Sequence, residues 1–205
     1  MPLSHLEILV EEASMEAFLR SLLPKIVGSV NSNFQVFRGK QALLRELPRR
    51  MRGLRQMLQP GWLILVVVDC DRDDCRQLKS SLEAASRGAG LTTRSSKGAG
   101  RFSVLNRIAI EELEAWYLGD WPAVKTAYPR VPSSVPDRAG YRIPDAVAGG
   151  TWEAFERILV AAGYFPGGLP KIEVAQCIAP HMDPARNTSR SFQVFRDALL
   201  EAAHP

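Results

Sequence analysis

No apolar run in this sequence approaches the roughly 18 residues that a membrane-spanning helix needs, so we expect no membrane span. The first residues, Met1 to His5, carry no basic segment followed by an apolar one, and we expect no secretory signal peptide. Internal repeats and low-complexity tracts are also lacking. The composition is that of a globular protein, with 46% hydrophobic and 23% charged residues in 205, enough to bury a core.

Cysteine is scarce, and the three residues present, Cys70, Cys75 and Cys177, are an odd number. Their spacing does not match paired zinc ligands, so we expect a reduced, cytoplasmic protein. The chain also has no excess of acidic residues: the formal net charge is +4 and the isoelectric point is about 9.1. A mildly basic chain permits a phosphate-rich partner such as nucleic acid but does not require one.

The most informative stretch is the apolar run Leu63–Val68, which ends in Asp69. A short β-branched run without polar alternation is typical of a strand buried on both faces of a parallel sheet. Asp69 is therefore expected at the carboxyl end of a strand, where ligands bind in open α/β sheets. Asp71, Asp73 and Asp74 follow, and such clustered carboxylates need solvent, a helix amino terminus or a cation. An oxygen-rich group of this kind suits Mg²⁺ or Mn²⁺.

Strands and helices are predicted to alternate over the first part of the chain. The predicted strands cover residues 6–10, 33–37, 62–68, 91–93 and 102–110. The predicted helices cover residues 13–27, 41–58 and 72–87, and another begins at 111. This order predicts an α/β fold with a mainly parallel sheet and helices on both faces.

The texture of the sequence changes after Asp120. A long irregular connection is punctuated by Pro122, Pro129, Pro132, Pro136 and Pro144. Helices are predicted again over residues 151–162, 171–179 and 192–203. We therefore expect an α/β core over residues 1–120 and a mostly helical extension over residues 121–205, packed on that core.

Acidic residues follow three of the predicted strands. Glu11 follows the first, Asp69 ends the third, and Glu111 and Glu114 follow the last. Alone, Glu11 would do no more than complement a helix dipole. Because the carboxyl ends of parallel strands lie at one edge of the sheet, these acids are expected to converge.

The helix predicted over residues 41–58 has one apolar and one strongly basic face. With the residues just before it, its basic side chains are Arg38, Lys40, Arg45, Arg49, Arg50, Arg52 and Arg55. A solvated helix face explains this pattern, and so does a surface that contacts the phosphate backbone of nucleic acid. On the second interpretation the nucleic-acid-binding candidates are Arg38, Lys40, Arg45, Arg49 and Arg52.

An acid after the first strand, with Asp-x-Asp after a later hydrophobic strand, resembles the Toprim domain of topoisomerases, primases and OLD-type nucleases. More closely, the chain resembles a family of small stand-alone Toprim-like proteins of bacteria, a domain of unknown function often encoded beside an AAA-type ATPase. The matching segments are Ile8–Glu11, Glu16–Leu19, Arg38–Lys40, Val68–Asp71, Ile108–Asp120, Lys171 and Ser189–Phe192. They extend over nearly the whole chain, and Glu114–Asp120 is the most specific of them.

This resemblance implies a Toprim-like sheet and a nuclease that depends on Mg²⁺ or Mn²⁺. The implied metal ligands are Asp69, Asp71, Asp73 and Glu114, and the implied catalytic residues are Glu11, as ligand or general acid/base, and Lys171. In such a site the metal activates water and stabilises charge during attack on a phosphodiester. The resemblance also implies a nucleic-acid partner, an AAA-type ATPase partner and a role in phage defence.

Two departures from the family pattern keep an alternative open. Glu12 stands where the family has glycine, and Met15 stands where a second acid is expected. Without that acid, one metal site could be incomplete, unless Glu16 replaces it. The alternative is a catalytically degenerate Toprim-like subunit that binds or regulates without turnover.

Two other classes fit less of the sequence. A receiver-like phosphoacceptor domain needs a Ser or Thr and then a Lys at the next two strand ends, whereas Ser95 and Lys97 share one loop. A haloacid-dehalogenase-like phosphatase normally carries its Asp-x-Asp motif on the first strand, and here Asp73 occupies its Thr/Val position.

Overall fold

A computed structural model describes residues 2–204 of the chain. Four strands form one parallel sheet in the order β2-β1-β3-β4. Their bounds are β1 His5–Val10, β2 Asn31–Val36, β3 Trp62–Asp69 and β4 Val104–Ala109. The predicted α/β class with a parallel sheet is confirmed.

Eight α-helices accompany these strands within residues 2–204. They are α1 Ala13–Val27, α2 Lys40–Met57, α3 Cys75–Gly88, α4 Leu113–Gly119, α5 Trp121–Ala127, α6 Thr151–Ala161, α7 Lys171–Ile178 and α8 Arg190–Ala203. In that part of the chain, no helix combines the length and the apolar character needed to cross a membrane.

Strand β3 is apolar from Trp62 to Val68, and both of its faces are buried. Ile64, Val66 and Val68 pack in a core with α2 and α3, whereas Leu65 and Val67 pack in a larger core with α1 and the later helices. Helices therefore cover both faces of the sheet, as predicted. A strand buried in this way has no room for polar alternation.

The register of the strands brings the acidic residues to one edge. Val10 lies opposite Val67 in the β1–β3 pair, and Asp69 lies opposite Ala109 in the β3–β4 pair. Glu11 and Glu111 come just after β1 and β4, so they lie at the same edge as Asp69. The convergence predicted from the strand order is therefore present in the backbone.

Of the helices after Asp120, α7 and α8 pack on α1, whereas α5 and α6 pack on α4. Lys25, in the last turn of α1, donates hydrogen bonds to the carbonyl oxygens of Ala179, Pro180 and Met182 at 3.2, 2.6 and 2.8 Å. Buried side chains from α1 and from α5 to α8 belong to one hydrophobic core. The division at residue 120 stays a prediction about domains.

Three local predictions were wrong. The strand at 91–93 does not form, because Thr93 makes only an isolated bridge to Val104. Helix α3 begins at Cys75 instead of residue 72, because the Asp74 carboxylate caps it by accepting hydrogen bonds from the amides of Arg76 and Gln77. Helix α5 lies in the stretch predicted to be irregular.

Candidate functional site

Glu11 and Asp69 meet at the carboxyl edge of the sheet. The Asp69 amide donates a hydrogen bond of 2.9 Å to Oε1 of Glu11. Both side chains are buried, with 6% and 4% of their surface exposed. Burial raises the pKa of Glu11 to about 7, while the Asp69 amide opposes that rise. Two acids from strands adjacent in the sheet therefore share one desolvated place.

Asp69 is the most unusual group at this edge. Its Oδ1 atom is buried and has no hydrogen-bond partner among the described residues. Burial, and then the negative charges of Glu11 and Glu114, raise the pKa of Asp69 well above its ordinary range. A buried acceptor without a donor costs stability unless something else binds it.

Glu114, in the first turn of α4, completes the buried group. Only 3% of its surface is exposed, and its Oε2 atom also lacks a partner within residues 2–204. Burial raises the pKa of Glu114 to about 7, and the positive charge of Lys171 counteracts the rise. We call Glu11, Asp69 and Glu114 the inner acids.

Asp71 and Asp73 lie outside this group and already have a cation. Lys40 Nζ lies 2.7 Å from Oδ2 of Asp71 and 2.6 Å from Oδ2 of Asp73, and it also donates to the Cys70 carbonyl at 3.0 Å. Burial lowers the pKa of Lys40, but the hydrogen bonds to both aspartates outweigh it and raise that pKa. We call Asp71 and Asp73 the outer acids.

The backbone is strained at two of these strand ends. Asp71 and Glu111 have φ angles of +48° and +60°, a region that residues other than glycine seldom occupy. The Asp71 amide donates a hydrogen bond of 2.7 Å to the Glu111 carbonyl, which ties the two turns together. Such strain tends to occur where a fold positions functional groups.

Lys171 faces the inner acids from the extension. Its Nζ lies 3.7 Å from Oε1 of Glu12 and 4.6 Å from the centre of the Trp152 ring. Burial lowers the pKa of Lys171, but the charges of Glu114 and Glu12 outweigh it and raise that pKa. The contact places Lys171 beside Glu12, the residue that follows Glu11.

The two departures from the family pattern have different structural meanings. Glu12 has an extended backbone, with φ of −146°, so no glycine is needed there. Met15 is buried in the core on α1, where an acid would be costly. Glu16 forms an ion pair with Arg20 at 2.6 Å. Its carboxylate is therefore engaged by Arg20, and replacement of the missing acid by Glu16 stays a prediction.

A cleft of about 850 Å³ opens beside the outer acids. Its lining includes Lys40, the first residue of α2, and Arg38, which lies just before that helix. Glu111 and Glu112 line it as well. The first turn of α2 contains no acid, and no side chain caps its amides. A helix amino terminus of this kind attracts anions.

The basic face of α2 leads away from this cleft. Arg45, Arg49 and Arg52 are exposed, as is Arg38. Lys40 is different, because only 9% of its side chain is exposed and its ammonium group holds the outer acids. Among the five candidates for nucleic-acid binding, four thus lie on the surface and one lies inside the acidic site.

The donor atoms suit a divalent cation, although they are not arranged as a ready-made metal cage. Within residues 2–204, no group of three or more His, Cys, Asp or Glu side chains is positioned to hold a metal ion. The unpartnered oxygens of Asp69 and Glu114 are nevertheless hard, anionic ligands, which Mg²⁺ and Mn²⁺ prefer. The fit is better for the inner acids, because Lys40 already neutralises the outer ones.

Two contacts at the site were hardly predictable from the sequence. The ion pairs of Lys40 with Asp71 and Asp73 join the start of α2 to the loop after β3, and the only signal was that Lys40 follows a strand end. The Lys171–Glu12 contact joins α7 to the turn before α1, and the family pattern marks Glu12 only as a residue in place of glycine.

Fold and site together define an α/β protein with an acidic site at the carboxyl edge of a parallel sheet. The model of a protein family matches residues 10–200, nearly the full length. The chain therefore belongs to that family, the domain of unknown function DUF4276. Comparisons with curated proteins and with solved structures gave no match.

Proposed function

We propose that this protein is a Toprim-like nuclease that cleaves phosphodiesters with Mg²⁺ or Mn²⁺. The observation that carries the proposal is the buried Asp69 carboxylate, which has an unpartnered oxygen and lies beside Glu11 and near Glu114. Buried carboxylates that repel one another favour either a proton or a cation. The resemblance of the surrounding segments to Toprim proteins supports the cation.

The inner acids have distinct roles in this proposal. Asp69 and Glu114 would hold the ion through their unpartnered oxygens. When bound, the ion supplies an activated water and stabilises negative charge on the phosphate. Glu11, held by the Asp69 amide, is positioned either to join the ligands or to exchange a proton with the attacking water. Lys171 limits the negative charge around Glu12 and Glu114.

The outer acids and the basic face would position the substrate. Lys40 fixes Asp71 and Asp73 at the mouth of the cleft. Arg38 lines the same cleft, and the exposed arginines of α2 extend from it. A nucleic-acid strand could therefore place one phosphate in the cleft and neighbouring phosphates along α2. A partner ATPase of the AAA type and a role in phage defence belong to the same proposal.

The test compares two aspartates that lie five positions apart. Supercoiled plasmid is incubated with Mn²⁺ and the wild-type protein, Asp69→Asn or Asp74→Asn. We expect Asp69→Asn to lower the nicking rate by about a hundredfold or more, because it removes a metal ligand. Asp74→Asn is the control, since Asp74 only caps α3 and Asn is an equally good cap. Equal nicking by all three proteins would contradict the proposal.

A specific observation favours a second function, a binding or regulatory subunit without turnover. Met15 is buried and Glu16 is paired with Arg20, so no acid occupies the second position on α1. The two functions are separated by adding a thermal-unfolding measurement to the plasmid assay. A rise in Tm with Mn²⁺ that is lost in Asp69→Asn, without nicking by the wild type, would indicate the binding subunit.

A further inference from the structure

A buried arginine on β4, Arg107, has two guanidinium nitrogens without a hydrogen-bond partner among the described residues. Arg107 is only 8% exposed. Its Nη1 atom donates to the Asn106 carbonyl at 3.2 Å, whereas Nε and Nη2 are buried and have no hydrogen-bond partner among the described residues. A desolvated guanidinium in this state is costly.

The two unpartnered atoms form one recognition edge. Nε and Nη2 are the parallel donors with which arginine binds the two oxygens of a carboxylate or phosphate. Burial, and then the nearby charge of Arg94, lower the pKa of Arg107 to about 10, so the group stays cationic at neutral pH. An oxyanion is therefore the chemical complement of this edge.

The carboxylates nearest to Arg107 already have other partners. Glu83 lies 2.8 Å from Lys79 Nζ, and Glu201 is bound by Arg94 and Lys97. No acid within residues 2–204 makes an ion pair with Arg107 itself. Among the described residues, Glu83 and Glu201 therefore act on Arg107 only through their charge, without forming an ion pair with it.

Arg107 lines a cleft of about 390 Å³ between α3, β4 and α8. Its charged lining side chains are Lys79, Arg107, Arg190 and Asp145. Asp145 is occupied, because it accepts hydrogen bonds from the amides of Arg190 and Ser191. Lys79 is paired with Glu83, so the cations of this lining that form no ion pair among the described residues are Arg107 and Arg190. Their two positive charges suit a doubly charged anion.

We infer that this cleft binds a phosphate monoester or inorganic phosphate, with the Arg107 guanidinium, turned so that its buried edge faces the cleft, as its main contact and Arg190 at its rim. The site shares no residue with the inner or outer acids. It can therefore exist whether or not the protein is a nuclease.

The first experiment is calorimetric titration with inorganic phosphate in the presence of EDTA, which removes any metal-mediated binding. We expect Arg107→Met to weaken phosphate binding by about tenfold or more, because it removes charge-assisted hydrogen bonds. Arg190→Ser, at an exposed position that is safe for folding, should weaken it by roughly threefold. Arg157→Ser, an exposed arginine on α6 that does not line the cleft, is the control.

A thermal-unfolding measurement separates a ligand site from a structural role. If Arg107 is a ligand-binding residue that is unpaired in the free protein, Arg107→Met raises Tm in phosphate-free buffer. The same substitution then abolishes the rise in Tm that phosphate causes. A lower Tm for Arg107→Met together with an unchanged phosphate response would overturn the inference. If that variant does not fold, equal phosphate binding by Arg190→Ser and wild type would overturn it.

The source of the phosphate is identified by a comparison of oligonucleotides in EDTA. Competition by a 5′-phosphorylated strand, and not by the same strand without its 5′-phosphate, would assign the site to a nucleic-acid end. Competition by glycerol phosphate alone would assign it to a small metabolite. Tighter binding of acetate than of phosphate would contradict the choice of a doubly charged ligand.

Discussion

At the residue scale, the site depends on carboxylates that are buried together. Glu11, Asp69 and Glu114 come from three segments, and each has a raised pKa because burial disfavours its charged form. The positions of these acids were predictable, because each follows a strand whose end could be read from the sequence. Their hydrogen-bond partners were not predictable, since these depend on how side chains pack across distant segments.

The raised pKa values predict how stability depends on pH. Glu11 and Glu114 have a pKa of about 7 in the folded protein and an ordinary value of 4.5. Between these values the folded state binds more protons than the unfolded state, so stability falls as pH rises from about 4.5 to 7. We expect Tm in EDTA to increase by on the order of 5 °C from pH 8 to pH 5.5.

The control for this pH effect is Glu11→Gln combined with Glu114→Gln, compared with Glu16→Gln on the exposed side of α1. The double variant should lose most of the increase in Tm, and Glu16→Gln should keep it. A Tm that falls on acidification in the wild type, measured by differential scanning fluorimetry, would refute the assignment.

Lys40 gives a second prediction at this scale. Replacing it by Met leaves the Asp71 and Asp73 carboxylates without their cation, and we expect a loss of about 1–2 kcal/mol in the free energy of unfolding. Urea denaturation measures this loss. Arg20→Met, which breaks the surface pair with Glu16 and the cation–π contact with Phe34, should cost less, about 0.5–1 kcal/mol. Equal losses in the two variants would argue against a structural role for Lys40.

At the element scale, periodicity predicted most helices and strands because apolar spacing records which face is buried. Helix α5 was not predicted, because the many prolines after Asp120 indicated an irregular chain. Pro122, however, lies in the first turn of α5, where its missing amide costs nothing. The strand at 91–93 failed for the opposite reason, since three apolar or β-branched residues are too few to establish pairing without knowledge of a neighbour.

The start of α8 provides a prediction about an element. Asp145 accepts hydrogen bonds from the amides of Arg190 and Ser191 and from the hydroxyls of Ser189 and Ser191. We expect Asp145→Ala to lower the free energy of unfolding by about 1–3 kcal/mol, because these donors lose a charged acceptor. Asp197→Ala, which removes an exposed partner of Arg196, is the matched control in urea denaturation. Similar stability of both variants would show that the hydrogen bonds to Asp145 contribute little to stability.

At the scale of the whole molecule, the alternation of strands and helices was enough to predict the sheet, because parallel connections allow few topologies. It was not enough to distinguish a solvated helix face from a nucleic-acid surface. The exposure of Arg45 and Arg49 is compatible with both. The distinction requires a measurement of binding.

That measurement is the salt dependence of duplex binding in EDTA. If Arg45 and Arg49 each neutralise one phosphate, replacing both by Ser reduces the slope of log K against log salt by about 2. Replacing Arg138 and Arg157, two exposed arginines away from α2, should leave the slope unchanged. Identical slopes for the two double variants would leave α2 as an ordinary solvated face.

The pairing of β1 with β3 also affects how the protein matures. His5 lies opposite Trp62, so pairing β1 with β3 closes the long loop of chain that runs between these two strands. Closing such a loop is slow compared with forming local helices. During synthesis, Glu11 leaves the ribosome well before Asp69 and Glu114. A nascent chain therefore has no assembled acidic site until translation has passed α4, and a chain that stops before that point lacks Glu114.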